Sequence, residues 1–156
     1  MPRELTVADH VARSDRHLKV GNALNDAGDE WAAVCYFYSA YHLVKSALLA
    51  DPVFDDPAAL ASVRPDLSPE DRNTSSHHGR NRRGEPRIYG VNELVLTLYR
   101  PIVGEYERLH QGSIEVRYHQ GLTLDRLNLK AAALHIRDLH DAGEISAAKM
   151  GRRDQV

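Results

Sequence analysis

An all-α fold, four main helices with one long loop between the second and third, is predicted by three features of this 156-residue sequence. Residues 30–50 contain no Pro or Gly and are apolar, aromatic or small apart from one acid, one Lys and one His. Helical periodicity returns over residues 91–118 and again over 123–141. No β-type alternation of useful length interrupts this pattern.

The 30–50 stretch is the element around which the others must pack. Gly28 reads as a helix stop and Asp29 as the next N-cap. At helical spacing Ala33, Phe37, Ala40, Val44 and Ala47 form one stripe. Trp31, Cys35, Tyr38, His42 and Leu49 form a second on another side. A helix apolar on more than one face is a central helix, and its Ala positions allow a neighbour to approach closely. Lys45, His42, Glu30 and the Tyr residues break a span that would need ~20 mostly apolar residues to cross a membrane.

Before it, residues 6–27 read as a first helix, with Val7, Val11, Leu18 and Leu24 near one face and Gly21 weakening it. The short link at 25–29 favours an antiparallel pair. After Ala50, residues 51–90 hold five of the seven Pro residues, with one helical turn expected at 58–63. A connection this long is usually functional or disordered. Pro101 lies inside the third helical pattern and should kink or split it near Arg100. Thr123 offers an N-cap for a last helix to about Asp141, and Gly143 closes it. Residues 1–143 therefore read as one domain and 144–156 as a polar, loosely held tail.

The overall charge is nearly balanced, 20 basic residues against 22 acidic, so any polyanion site must be local. Positive charge concentrates between Arg72 and Arg87, which hold between them five Arg, two adjacent His and one acid. The single Cys35 fits a reducing compartment and reads as a small buried hydrophobe. No basic-then-apolar leader precedes Val7, which points to a cytoplasmic protein. Neither a metal site nor a cofactor is expected, because Cys pairs are absent and His77 and His78 lack a carboxylate at a ligand spacing.

The aromatic and small-residue run 31–48, His77-His78-Gly79-Arg80, and Tyr106 to Tyr118 (YERLHQGSIEVRY) together resemble a bacterial branch of the HEPN superfamily. The matching features are an HxxR in the loop and YxxLxxxSxxxRY at the end of the third helix; His17, Ala23 and Leu24 fit the first helix. The resemblance implies an HEPN-like four-helix bundle, usually a homodimer. Many members are metal-independent endoribonucleases of toxin–antitoxin, phage-defence or RNA-processing systems. Others are non-catalytic dimeric modules that bind a nucleotide or a protein partner such as an antitoxin. The family's RNase signature, Arg followed after four to six residues by His, is met by Arg72 and His77, although here it lies ahead of the third helix.

Metal-free RNA cleavage needs a group to take the 2′-OH proton, one to protonate the leaving oxygen, and positive charge on the phosphorane. His suits the first two at cytosolic pH and Arg the third. The catalytic candidates are Arg72, His77 and Arg80, and the substrate-binding candidates are His78, Arg82, Arg83, Arg87, Arg117 and Tyr118. A solvated basic loop explains residues 72–87 as well, and Arg117 and Tyr118 also suit a plain helix end. His42 and His17 read as hydrogen-bonded core residues, and His110, His119, His135 and His140 as surface residues. Tyr36, Phe37, Tyr38 and Tyr41 read as core or dimer interface.

Overall fold

The computed structural model describes residues 3–82, 85–118 and 124–153, with 80–82, 85–88 and 152–153 described by their backbone alone. The described chain is a helical bundle. Its order is α1 (Val7–Asp26), α2 (Ala32–Ala50), α3 (Pro57–Val63), β1 (Arg80–Arg82), β2 (Glu85–Ile88), α4 (Val91–Leu98), α5 (Val103–Tyr118), α6 (Arg126–Asp141) and α7 (Ala147–Arg153). No described helix is long and apolar enough to cross a membrane.

Helix α2 is the centre, packed by α1, α5 and α6, and α5 and α6 also touch each other. Fourteen of its 19 residues are buried, including the whole Ala33–Phe37–Ala40–Val44–Ala47 stripe, so the breaker-free segment is the core. The second stripe is only partly covered, and Trp31 at its start is 49% exposed. Helix α1 runs antiparallel to α2, because Asn22 bonds Tyr36, Ser14 bonds Ser39 and His10 bonds His42 in reversed order. Gly21, which costs α1 intrinsic stability, permits this pairing. A Cβ there would lie 3.1 Å from Cys35 Cβ and from the Tyr36 ring. The α1–α2 turn is closed by Gly28 at φ +73°, and the Asp29 carboxylate accepts the Trp31 N–H at 2.9 Å.

Pro101 divides the third helical pattern as expected. Helix α4 ends at Leu98, a single 3₁₀ turn spans Arg100–Ile102, and α5 begins at Val103. The last long helix is capped by the Asp125 carboxylate, which accepts Asn128 N–H at 3.1 Å; the expected cap Thr123 lies outside the described residues.

Two expectations need correction. Residues 80–82 and 85–88 form a two-stranded antiparallel ribbon, Arg80 opposite Ile88 and Arg82 opposite Glu85, in strands too short to show alternation. Residues 144–151 are docked rather than loose, for Ile145 is 7% exposed and Met150 is fully buried. Its anchor is Asp51, a buried carboxylate at the end of α2 that accepts Tyr99 Oη–H at 2.9 Å and Ala147 N–H at 2.8 Å.

The long loop is fastened to the bundle by its own main chain. Tyr41 Oη–H donates to Ser75 O at 2.8 Å, and the buried Lys45 ammonium donates to Thr74 O. Thr74 Oγ1–H reaches Tyr89 O at 2.7 Å. The first amides of α4 then close the base, Val91 N–H to Ser76 O at 2.7 Å and Asn92 N–H to His77 O at 3.0 Å. These amides have no partner inside their own helix, so the loop carbonyls satisfy what α4 leaves open.

Candidate functional site at the α4–α5 junction

The fastened loop delivers His77 onto the aromatic face of α2. Its ring lies 5.4 Å from Phe37 and 5.2 Å from Tyr41, edge-on to both. His110 comes up from α5 to the same place, stacked on Phe37 at 4.8 Å and 4.9 Å from His77 between ring centroids. His78, exposed at the loop tip, stands 5.5 Å from His110 on the outer side. Two imidazoles, from a loop and a helix 33 positions apart, thus meet over one phenyl ring, and a third stands against His110.

Gly90 makes the crossing possible. A Cβ at that position would sit 2.3 Å from His78 C, 2.5 Å from Gly79 N and 2.6 Å from His77 O, all main-chain atoms. Only hydrogen fits between the start of α4 and the His-bearing loop.

Beside the imidazoles lies an open cavity of about 510 Å³, lined by His78, Asn92, Glu107, Arg108, His110 and Gln111 among others. Asn92 Nδ2 lies 2.9 Å from His110 Nδ1 and donates to it in the neutral ring, which leaves the His110 proton on Nε2. Arg117, two turns further along α5, bonds Ser113 O through Nε at 3.2 Å and stacks its guanidinium 5.3 Å from the Tyr118 ring. The Tyr118 side chain itself is 72% exposed.

Electrostatics disfavour charge on this cluster. Burial, then His77, His78 and Arg117, push the His110 pKa down to about 4. Burial, then Arg117 and His78, also lower His77 below its ordinary value. Both rings are therefore neutral near pH 7, with a free lone pair to accept a proton, though each is a weaker base than an imidazole in water. Among the described residues, His77 Nδ1, Asn92 Oδ1, Tyr106 Oη and Ser113 Oγ are buried without a hydrogen-bond partner. Two of these, His77 Nδ1 and Asn92 Oδ1, belong to the cluster itself, which is unusual because buried polar groups are nearly always satisfied.

The sequence-derived candidates divide. His77, His78 and Arg117 share this neighbourhood, and Tyr118 borders it. Arg72 does not. Its guanidinium bonds Asp55 at 2.8 Å, Leu49 O at 2.9 Å and Asp51 O at 3.0 Å, and it stacks on Phe54. Leu49 lies eight residues beyond Tyr41 on α2, ~12 Å along the axis from the His77 contact. Arg72 instead caps the C-terminal carbonyls of α2. The side chains of Arg80, Arg82 and Arg87, and the whole of Arg83, lie outside the described residues.

The expectation of a surface His110 is wrong: the residue is 5% exposed and central to the cluster. The signal was present, since His110 follows Leu109 and lies four residues after Tyr106 on the buried side of α5. Asn92 and Gly90 carried no sequence signal beyond their position at a helix start. His119 lies outside the described residues. His140 is half-buried with Nε2 at 2.6 Å from Ser46 Oγ, and His135 is exposed beside Glu105.

The class defined so far is a helical bundle with a histidine-rich site clamped between a pinned loop and its third long helix. No family model, no curated protein and no solved structure matches the chain. Among the described residues no group of three or more His, Cys, Asp or Glu is arranged to hold a metal ion.

Proposed function

We propose that this protein is an HEPN-like bundle that cleaves RNA without a metal, with His77 and His110 moving the protons. The observation that carries this reading is the pair of imidazoles at 4.9 Å, both depressed in pKa, of which His110 lines a cavity together with Arg108. His110, the lower of the two, is the base that takes the 2′-OH proton. His77 acts in its protonated form, which the approaching phosphate anion favours, and gives that proton to the leaving 5′ oxygen. Arg117 and Arg108 offset the charge that develops on the phosphorane. When His110 takes up its proton, Asn92 turns its amide so that Oδ1 accepts from Nδ1–H, giving that oxygen the partner it otherwise lacks. Arg72, a catalytic candidate from the sequence, has a structural part in this scheme.

The homodimer belongs to the same proposal. Tyr118, 72% exposed, and Leu96, 46% exposed, provide apolar surface on the helices flanking the site. An antitoxin partner follows from the family likeness alone.

The test is incubation of the purified protein with single-stranded RNA in EDTA. The expected product carries a 2′,3′-cyclic phosphate end. His77→Ala and His110→Ala should each lower the rate roughly a hundred- to ten-thousand-fold, with circular dichroism confirming the fold. Full activity in His110→Ala would overturn the assignment. Salt-sensitive RNA binding without cleavage would instead favour the non-catalytic module.

A further inference from the structure

A second cavity, of about 430 Å³, opens on the other side of Tyr41 between the start of α1 and the middle of α2. That volume falls within the ~300–1,000 Å³ range of small-molecule pockets. Three basic side chains in its wall are nine-tenths buried or more: His10 at 6% exposure, His42 at 6% and Lys45 at 5%. Arg13 stands exposed at the mouth. Glu4, also exposed, is the one carboxylate among the described residues lining it.

Burying basic groups without acids is costly unless an anion meets them. His10 and His42 manage by staying neutral. Their Nδ1 atoms face each other at 3.0 Å, an arrangement that needs one ring to donate and the other to accept. His17 stacks on His42 at 5.5 Å and 6°, which adds a further basic ring and no countercharge. Of the remaining wall, Tyr38, Tyr41, Leu5 and Leu49 are apolar or aromatic and suit a ring, and Asn73 and Ser75 complete it.

We infer that this cavity binds a small organic phosphomonoester, its dianionic head between Arg13, Lys45 and the His10–His42 pair and its body against Tyr38 and Tyr41. A dianion matches this set because Lys45 and Arg13 supply two positive charges and the imidazole pair can take up a third. Recruitment of Lys45 would draw on the ammonium that now holds Thr74 O, so an occupant here touches the same loop that carries His77.

The charge state gives the proposal its pH signature. The groups facing the pair are Asp9, Arg13 and His17 from α1, Glu4 ahead of it, and Lys45 from α2. Burial, then His10, His17, Arg13 and Lys45, hold His42 at about 3, and burial brings Lys45 down to about 8. A bound dianion raises both, so association takes up protons and weakens as pH rises through 8.

The probe is phenyl phosphate, titrated calorimetrically into the full chain at pH 7 in two buffers of different ionisation heat. Saturation below roughly 1 mM with net proton uptake is expected. In ¹⁵N-histidine spectra the His10 and His42 signals should move to the protonated form while those of His77 and His110 stay. Arg13→Gln, at an exposed position that the fold does not need, should weaken binding about tenfold or more. Phenol should show no saturable heat, and benzoate should bind more weakly. Absence of saturation by roughly 10 mM, or wild-type affinity in Arg13→Gln, would overturn the inference. So would equal binding of phenol or benzoate, or shifts confined to His77 and His110, the last placing the ligand in the α4–α5 site.

Discussion

Replacing Gly90 by Ala tests how the His77 loop is held. The added Cβ would meet three main-chain atoms of residues 77–79 at 2.3–2.6 Å, whereas ordinary contact begins near 3.4 Å. The loop must therefore retreat by about an ångström, because no side chain at the contact can rotate away. Gly90 itself sits at φ −91° and ψ 165°, a conformation open to Ala, so backbone strain at residue 90 plays no part. Retreat strains or breaks Val91 N–H to Ser76 O and Asn92 N–H to His77 O. At about 0.5–1.5 kcal/mol per bond, the loss of stability comes to about 1–3 kcal/mol. Urea unfolding measures that directly. A displacement of about 1 Å in a positioned catalytic group costs up to roughly a hundredfold in rate, so cleavage should fall further than stability. A Gly90→Ala protein with wild-type unfolding midpoint and wild-type RNA cleavage would refute the close crossing of loop and helix.

Phe37→Ala should cost about 3–5 kcal/mol in chemical unfolding, because the ring is fully buried and supports both His77 and His110. Tyr38→Ala, at a half-buried position, should cost clearly less, and equal losses would contradict the burial difference. Arg72→Ala should destabilise by about 2–3 kcal/mol through the unpaired Leu49 and Asp51 carbonyls. Its cleavage rate per folded molecule should stay near wild type, which would set it apart from His77→Ala. Stability should fall as pH drops below 6.5. His10, His17, His42, His77 and His110 all have lowered folded pKa values, so the unfolded chain binds more protons in that range. Between pH 6.5 and 4, His42 alone contributes a loss of up to about 3 kcal/mol, and a thermal midpoint flat over that interval would exclude neutral buried imidazoles.

The helices were legible because their signals are local. Phe37 and Ala40 declare a buried face by their spacing within one element, and Pro101 ends α4 by its own covalent ring. The site was half legible. Charge density singled out residues 72–87, which located His77 and His78 but also promoted Arg72, whose partners Asp55 and the α2 carbonyls are set by tertiary folding. The pairing of His10 with His42 spans 32 residues and that of His77 with His110 spans 33, so no window along the chain could show either. Nine His in one domain was the sole hint. Docking of α7 went unread because few apolar side chains, Ile145 and Met150 chief among the described ones, stand in an otherwise polar run.

The fastening of residues 74–77 to residues 89–92 bears on how this chain tolerates change. Thr74, Ser76 and His77 on one side and Tyr89, Val91 and Asn92 on the other are bonded to each other, so the stretch 79–88 between them is anchored at both ends. An excursion closed in this way is a cassette. Its closure entropy grows slowly with length, about 0.6 kcal/mol for each doubling. Insertions or deletions there can remodel what the protein reaches for without shifting His77 from His110. Length variation among future relatives should concentrate in that decade of residues, while Gly90 and the carbonyls it lies against keep their spacing.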